Sequence, residues 1–213
     1  RALRRTRSGN EYDFPQDVVE LQSYFTVPDP RHPVRAVPGA GLRVPVWLLG
    51  SSLFSAQLAG MLGLPYAFAS HFAPDYLCDA LAAYRREFKP SEHLEAPYAM
   101  VGVNVVAADT DDEARRLFTS QQVQSTDMLR GKRDALGPPI DDIEHYWTHA
   151  EKPAVNHKLT HSFVGSQDTI QVGLADLIAQ SQADEIIANV RIFDPASCLR
   201  TLELLASVRD HFD

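Results

Sequence analysis

Two serines after a short apolar run are the residues of this chain best placed to bind an anion. Residues 44–49 are apolar almost throughout and Gly50 ends the run, which predicts a strand buried on both faces. From Leu53 onward the apolar residues recur at helical spacing. Ser51 and Ser52 therefore stand in a turn leading into a helix, where hydroxyls, unpaired N–H groups and the helix dipole favour a phosphate.

The same two serines also have a simpler interpretation. Serine is a common N-cap, because its hydroxyl accepts a hydrogen bond from an N–H group of the first helical turn. Caps occur on most helices and phosphate sites on few, so the spacing alone favours capping. Both interpretations stay open on the residues alone.

Length and charge exclude several classes of protein. A chain of 213 residues with 45% hydrophobic and 23% charged residues can bury a sizeable core, and we expect one domain. The net charge of −8 argues against nucleic-acid binding, because the one basic cluster lies within residues 1–7. No apolar run approaches the roughly 20 residues that cross a bilayer, and no signal-peptide pattern opens the chain. We expect a cytoplasmic protein that binds neither nucleic acid nor membranes.

Strand and helix patterns alternate along the chain. We predict four strands, each followed by a helical pattern, at residues 44–49, 66–69, 97–107 and 185–190. A first helix is predicted from Phe14, and residues 119–162 read as an insertion with short helices. Such alternation implies a parallel sheet covered by helices. Because no glycine-rich dinucleotide turn follows any strand, half of a (β/α)8 barrel is favoured over an open sheet.

Several helix N-termini are marked by their capping residues. Thr110 with Glu113 forms a capping box, Ser166 precedes another helix, and Asp194 with Pro195 opens the last one. We interpret the acidic residues around the first of these as favourable charge at a helix N-terminus, not as paired catalytic carboxylates: Asp109, Asp111, Asp112 and Glu113.

Two pairs of histidines have the i, i+4 spacing that can place two imidazoles on one helical face, as in zinc sites. They are His145 with His149 and His157 with His161. Neither pair has a cysteine nearby, and Cys78 and Cys198 lie far apart and read as buried packing residues. We predict no metal site.

A family resemblance is carried by several segments in the same order along the chain. The longest is PVRAVPGAGLRVPVWLLGSSLFSAQLAGMLGLPYAFASHFAP, and others are NVVAADTDDEARRL, SFVGS and ADEIIANVRIFDPASCLRTLELLA. Together they resemble the later half of the luciferase-like flavin monooxygenases, whose fold is a (β/α)8 barrel. The resemblance implies an α/β fold, a partial (β/α)8 TIM barrel with four C-terminal βα units and an insertion before the last. Residues 1–213 would form one luciferase-like monooxygenase domain without the N-terminal half of the barrel.

The resemblance also implies a set of cofactor-binding residues, which are Gly50, Ser51, Ser52, Ser55, Ser70 and His71. The first four fall on the turn that holds the phosphate of FMN in luciferase-like enzymes. The last two follow the next strand, at the carboxyl end of the sheet where the active sites of such barrels lie.

Some polar residues near strand ends have two interpretations. His71 is either a ligand-binding residue or a structural histidine that satisfies backbone groups. Asn104, Asn189 and Arg191 could face the barrel mouth or could equally satisfy loop backbone. The residues themselves do not decide between these roles.

The function implied by the resemblance is monooxygenation with reduced FMN and O2. A separate flavin reductase would supply the reduced FMN, a small organic substrate such as an aldehyde or alkane would receive one oxygen atom, and the enzyme would be a homo-oligomer. A deazaflavin is the alternative cofactor. No catalytic residue is predicted, because none of the candidate site residues named above is an evident acid, base or nucleophile. The alternative function is a truncated, non-catalytic flavin-binding or interaction protein, since a half-barrel exposes strand edges that invite pairing.

Overall fold

A sheet of five parallel strands organises residues 13–27 and 35–212, the ranges that the computed structural model describes. The strands are β1 (Leu48–Gly50), β2 (Tyr66–Phe68), β3 (Ala99–Ala107), β4 (Ser162–Gly165) and β5 (Glu185–Asn189). The α-helices in these ranges are α1 (Phe14–Phe25), α2 (Leu53–Leu62), α3 (Leu77–Glu87), α4 (Asp111–Leu129), α5 (Glu151–Lys158), α6 (Gln167–Ser181) and α7 (Pro195–Arg209). A short 3-10 helix spans Ile143–His145. The basic cluster at the start of the chain lies outside the described residues.

Strand β3 is the centre of the sheet and pairs in parallel with β2, β4 and β5. The Tyr66 N–H donates to the Tyr98 carbonyl just before β3, and the Asn104 N–H donates to the His161 carbonyl just before β4. Tyr98 and Asn104 differ by an even number of positions along the same extended segment, and alternate residues of a strand direct their backbone groups to opposite edges. Strands β2 and β4 therefore share one edge of β3, and β5 occupies the other.

The helices α2, α3, α6 and α7 cover one face of the sheet. Val101, Val103 and Val105 of β3 are completely buried in the core that these helices form with the strands. Leu174 of α6 and Leu204 of α7 belong to the same core. The branched residues of β3 fit this position, because a central parallel strand is covered along its length.

Helix α4 packs in a different place from the one that its sequence pattern predicts. Its apolar residues Ala114 and Leu117 join a second cluster with Val106, Ala108 and, from β4, Val164. We expected this helix to complete the third βα unit, but the helix that packs beside α7 after β3 is α6. The insertion therefore begins with α4 and ends with β4, so it is longer than the predicted residues 119–162.

The insertion is held together by polar contacts between α4 and the segments that follow it. The Tyr146 hydroxyl donates to the Asp127 carboxylate at 2.9 Å, and Arg130 forms an ion pair with Glu151 at 2.8 Å. The arginine beside Glu151 lowers the pKa of that carboxyl to about 2. These contacts give a mostly polar segment a defined shape.

The sheet shows two further differences from the sequence-based prediction. Strand β1 is shorter than residues 44–49 suggested, because its pairing with β2 starts at Leu48, while Pro45 has no N–H to donate. Strand β4 was missed, because a four-residue segment inside a polar region has no clear alternation.

Apolar residues are exposed on the sheet face opposite the helices. Leu49 of β1 is 66% exposed and Ile187 of β5 is 52% exposed. Strand β1 pairs with β2 and β5 pairs with β3, so these two strands border the described sheet. This is the arrangement of a partial (β/α)8 barrel with an open inner face. Within the described ranges, no helix has both the length and the apolar character to span a bilayer.

Candidate functional site

The turn between β1 and α2 is a tight connection capped by Ser52. The Ser52 hydroxyl accepts a hydrogen bond from the Ser55 N–H at 3.3 Å, which confirms Ser52 as the N-cap of α2. Ser52 is exposed and Ser51 is half-buried, and the Ser51 side chain has no hydrogen-bond partner within the described residues. The amides of Leu53 and Phe54 have no acceptor within the helix, because the first turn never supplies one. The turn thus offers hydroxyl and N–H donors to solvent.

Gly50 allows α2 to start this close to the strand. A Cβ atom on Gly50 would lie 2.2 Å from the Ser55 Oγ and 2.5 Å from the Ser55 Cβ, distances that real atoms do not adopt. The Gly50 carbonyl also accepts a hydrogen bond from the Ala69 N–H at 2.9 Å, which continues the pairing of β1 and β2. The glycine shapes the turn through its missing side chain.

Ser55 lies beneath the turn and has internal partners. It is buried, its hydroxyl donates to the Ser52 carbonyl at 2.9 Å, and that hydroxyl lies 3.2 Å from the Tyr66 hydroxyl. Burial raises the pKa of the Tyr66 phenol, and the contact with Ser55 partly opposes this shift. Ser55 and Tyr66 therefore fix the carbonyl side of the turn.

The charge at the start of α2 differs from that of the other helices. Its cap and first turn contain no acidic residue. The other α-helices of the described ranges each have a carboxylate in the first turn or at the cap: Asp17 in α1, Asp79 in α3, Asp111, Asp112 and Glu113 in α4, Glu151 in α5, Asp168 in α6 and Asp194 in α7. The positive end of α2 is therefore not compensated by its own sequence, and it favours an external anion.

The segment after β2 places Ser70 and His71 at the carboxyl end of the sheet. Ser70 is completely buried, and its hydroxyl donates to the Gly102 carbonyl at 2.7 Å. His71 is half-buried, and its ring meets Phe72 edge-on at 4.9 Å between centroids. Burial lowers the pKa of the His71 imidazole, and the nearby Arg191 lowers it further. Ser70 thus supports the backbone of β3 at Gly102, while the His71 side chain stays partly accessible.

Asn104 joins the strand ends that surround His71. Its amide donates to the His71 carbonyl at 2.8 Å and to the Ser162 hydroxyl at 3.2 Å, and its side-chain oxygen accepts from Asn189 at 2.8 Å. Asn104 is 3% exposed, so these partners account for its position. The structure gives Asn104 a connecting role instead of an open ligand position.

Arg191 follows β5 and connects it to the insertion. Its guanidinium hydrogen-bonds the side-chain oxygen of Gln124 in α4, and its carbonyl accepts from the Gln121 side chain at 2.9 Å. The insertion therefore lies against the carboxyl ends of β3 and β5.

Within the described ranges, no group of three His, Cys, Asp or Glu side chains that could hold a metal ion occurs, at the histidine pairs or elsewhere. His145 and His157 instead lie 2.6 Å from the carboxylates of Asp142 and Asp75. His149 and His161 lie outside the helices that hold their partners. Cys78 is exposed and Cys198 half-buried, so the prediction of two buried cysteines was wrong.

The acidic residues around α4 lie in its first turn, behind the Thr110 cap, or form ion pairs. The Thr110 hydroxyl accepts from the Glu113 N–H at 3.2 Å, and Asp109 pairs with Arg200 at 2.7 Å. The Asp111 carboxylate accepts from the Ser166 N–H at 2.6 Å. This agrees with their interpretation as charge at a helix N-terminus.

Sequence reasoning missed Tyr66, Ser162 and Gly102 as parts of the site. Gly102 stands between Val101 and Val103 in β3, and an isolated glycine in a strand often marks a close approach. The close approach at Gly102 could therefore have been predicted from the sequence. Tyr66 and Ser162 have ordinary strand neighbours, and only the tertiary contacts identify them.

Parallel strands that alternate with helices on one face of the sheet define the class of (β/α)8 barrel proteins, of which the described residues form a part. The chain belongs to the luciferase-like monooxygenase family, whose model matches residues 1–189.

Known proteins show how much of the family fold is present. The chain is 48% identical over 209 residues to the Luciferase-like monooxygenase of Escherichia coli strain K12, covering 98% of this chain and 62% of that protein. It therefore spans less than two thirds of the length of that relative.

Two solved structures share the fold. The first is apo-MsnO8, with a TM-score of 0.76, 27% identity and coverage of 95% of this chain and 61% of that one. The second is the oxygenating constituent of 3,6-diketocamphane monooxygenase from Pseudomonas putida in complex with FMN. Its TM-score is 0.55 at 19% identity, covering 79% of this chain and 48% of that one.

Proposed function

We propose that this chain is the phosphate-binding part of a flavin-dependent monooxygenase that uses reduced FMN and O2 to oxygenate a small organic substrate of aldehyde or alkane type. The observation that carries the proposal is the acid-free N-terminus of α2 at the carboxyl end of β1. The active sites of (β/α)8 enzymes lie at this end of the sheet. Family membership supports a flavin as the source of the anion.

The donors of the turn fit a phosphate. The Ser52 hydroxyl is exposed, the Ser51 side chain makes no hydrogen bond within the described residues, and two first-turn amides lack helical acceptors. In this proposal Ser51, Ser52 and these amides bind the phosphate of FMN. Gly50 and Ser55 act indirectly, because they shape the turn from beneath.

The remaining chemistry divides between cofactor and protein. Bound reduced flavin supplies the activation of O2 and the transfer of one oxygen atom. The chain anchors the phosphate, and the insertion, which contacts the strand ends through Arg191, shields the carboxyl end of the sheet from water. A separate flavin reductase and a second copy of the chain are the proposed partners.

A non-catalytic flavin-binding or interaction protein is the second candidate function. The exposed inner-face residues Leu49 and Ile187 favour it, because an open face and two bordering strands invite association. Aerobic turnover separates the two candidates. The enzyme, mixed with reduced FMN and a long-chain aldehyde, converts the aldehyde, whereas a binding protein leaves it unchanged.

The binding site is tested by titrating the protein with FMN and following flavin fluorescence. The double variant Ser51→Ala with Ser52→Ala is expected to weaken FMN binding by roughly tenfold or more, since it removes hydrogen bonds to a charged group. The matched control is Thr110→Ala, which removes the cap of α4. Equal affinity in the double variant and the native protein, with the helix content retained, rejects the phosphate site. Titration with a deazaflavin of the same series decides between the two cofactors.

A further inference from the structure

A cavity of about 650 Å³ lies at the amino ends of β1, β2 and β3. Trp47, Pro65 and Tyr98 line it, and each of them directly precedes one of these strands. The strands are parallel, so this amino-end cavity lies at the opposite end of the sheet from the turn before α2. Its volume is within the range of roughly 300–1,000 Å³ that is typical of sites for small molecules.

The walls of the amino-end cavity are joined by hydrogen bonds between distant segments of the chain. Gln22 of α1 and His93 of the loop before β3 both line the cavity, and their side-chain Nε2 atoms lie 3.2 Å apart. The Arg43 N–H donates to the Phe25 carbonyl at 3.0 Å, which fixes the segment before β1 against the end of α1. The cavity is therefore formed by the packing of described segments against one another.

Three aromatic side chains supply much of the apolar surface of the cavity. Phe25 and Trp47 are half-buried, and Tyr98 is 37% exposed. The rings of Trp47 and Tyr98 meet edge-on, with centroids 5.6 Å apart and planes at 86°. The Tyr98 hydroxyl donates to the Glu185 carboxylate at 3.4 Å, which helps to fix that ring. Aromatic rings prefer such offset or edge-on contacts, so this lining favours a ligand that itself contains an aromatic ring.

The polar groups of the cavity are mainly donors. Among the described residues, no carboxylate lies within ion-pair distance of the Arg43 guanidinium, and the Trp47 indole N–H has no acceptor. Glu92, the one carboxylate among the described lining residues, is exposed to solvent. A guanidinium matches the planar geometry of a carboxylate, and hydrogen bonds to a charged acceptor are the stronger ones. The donor set therefore favours an anionic group on the ligand.

The backbone of Arg43 has an uncommon conformation. Its φ is 49°, in the left-handed region that favours glycine, and Gln182 at the end of α6 is the one other non-glycine residue of the described ranges with a positive φ. Such a conformation in a residue with a long side chain is more frequent at functional positions than elsewhere. The bond from its N–H to Phe25 keeps Arg43 in the cavity wall in this conformation.

We propose that the amino-end cavity is a second ligand site, which binds an aryl carboxylate. The aromatic ring of the ligand packs against Phe25, Trp47 and Tyr98, and its carboxylate accepts hydrogen bonds from the Arg43 guanidinium and the Trp47 indole N–H. The site is separate from the proposed flavin site, and the inference does not depend on the proposed function.

The test uses 3-phenylpropionate as the probe, with 3-phenylpropanamide as its uncharged counterpart and octanoate as its aliphatic counterpart. Isothermal titration calorimetry of the whole chain measures the three affinities. The carboxylate is expected to bind at least about tenfold more tightly than the amide, because the amide lacks the charge that Arg43 recognises. Octanoate is expected to bind several-fold more weakly than 3-phenylpropionate, since it makes no contact between aromatic rings.

Fluorine NMR locates the bound probe. The chain contains two tryptophans, Trp47 and Trp147, so protein labelled with 5-fluorotryptophan gives two signals. Trp147→Phe assigns them. The Trp47 signal is expected to move with added 3-phenylpropionate, and the signal of Trp147, in the insertion, is expected to stay fixed.

Arg43→Gly tests the charged group without disturbing the backbone, because glycine adopts a φ of 49° readily. The variant is expected to remain folded and to bind the carboxylate and the amide with equal affinity. The matched control is Arg133→Gly, which removes an exposed arginine outside the cavity lining and should keep the tenfold preference.

The inference is overturned if 3-phenylpropionate does not bind at millimolar concentration, if it moves the Trp147 signal instead of the Trp47 signal, or if the amide or octanoate binds as tightly. A preference for the carboxylate that persists in Arg43→Gly also overturns it. FMN binding is measured in the same samples. If Arg43→Gly loses the carboxylate preference but binds FMN as the native protein does, the two sites are independent. If no flavin binds while the Trp47 signal responds to the probe, the proposed function fails and the inference stands.

Discussion

The N-termini of α2 and α4 are built alike and differ in charge. Each helix follows a strand of the sheet, and the caps Ser52 and Thr110 share a φ of −133° with ψ values of 159° and 154°. The hydroxyl of each cap accepts from the N–H three residues later, at 3.3 Å in α2 and 3.2 Å in α4. Local geometry therefore does not distinguish them.

The difference lies in what compensates the positive end of each helix. Helix α4 carries three acidic residues in its first turn, and the Asp111 carboxylate there also binds Thr169 at 2.9 Å. Helix α2 has none, and Ser52 is exposed. The carboxylates of α4 compensate the positive end of that helix, whereas the positive end of α2 has no carboxylate of its own. Charge, and not capping geometry, therefore distinguishes the N-terminus of α2 from that of α4.

The largest expected effect comes from adding a carboxylate to α2. Aspartate is as good an N-cap as serine, so Ser52→Asp should keep the fold while its charge repels the phosphate. We expect FMN affinity to fall about a hundredfold, roughly 2.7 kcal/mol, by isothermal titration calorimetry. The same change at α4, Thr110→Asp, should have no effect on binding. Similar losses in both variants would remove the distinction between the two helices.

The next effect concerns the glycine beneath the α2 turn. Gly50→Ala forces a methyl group against Ser55, and overpacking of this kind costs about 1–3 kcal/mol of unfolding free energy. Urea unfolding measures the loss. Gly137→Ala is the control, since a Cβ atom there meets nothing within 4 Å. Equal stability of the Gly50 variant and the native protein would show that the turn has room for a methyl group beside Ser55.

The N-caps Ser52 and Thr110 should contribute equally to the free energy of unfolding. Ser52→Ala and Thr110→Ala each remove a side-chain acceptor, and each should lower the free energy of unfolding by about 1 kcal/mol. Urea unfolding without flavin checks this. A much larger loss at Ser52 would mean that α2 depends on its serine for folding, and binding losses there could not be assigned to the ligand.

The smallest expected effect is the pH dependence of the stability that Asp111 of α4 contributes. The hydrogen bond from the Ser166 N–H contributes most to lowering the pKa of Asp111 in the folded protein, and the bond from Thr169 lowers it further. The pKa of an aspartate in the unfolded chain is about 3.9, and a carboxyl whose pKa is lower in the folded protein stabilises the fold above that pH. This stabilisation is lost as the pH falls through the pKa of the folded protein. Asp111→Asn should therefore lower the urea midpoint at pH 7, with the gap to the native protein closing below about pH 4. A gap that stays constant over this range would contradict the ionic role of Asp111.

The sequence predicts the local parts of this fold well and the tertiary placement less well. The strand, turn and helix around Ser52 were predictable, because Gly50 and the change of periodicity are local signals. The placement of α4 was not, since Ala114 and Leu117 show that a helix has a buried face but not which layer covers it. The partners of Ser55 and Asn104 were likewise unpredictable, because Tyr66 and Asn189 approach only in the folded chain.

FMN and riboflavin differ only in the phosphate that we propose α2 binds. The most direct measurement compares the two affinities for the native protein by fluorescence titration at low and moderate salt. We predict that FMN binds at least tenfold more tightly than riboflavin and that added salt narrows the difference. Equal affinity for the two flavins would contradict the account.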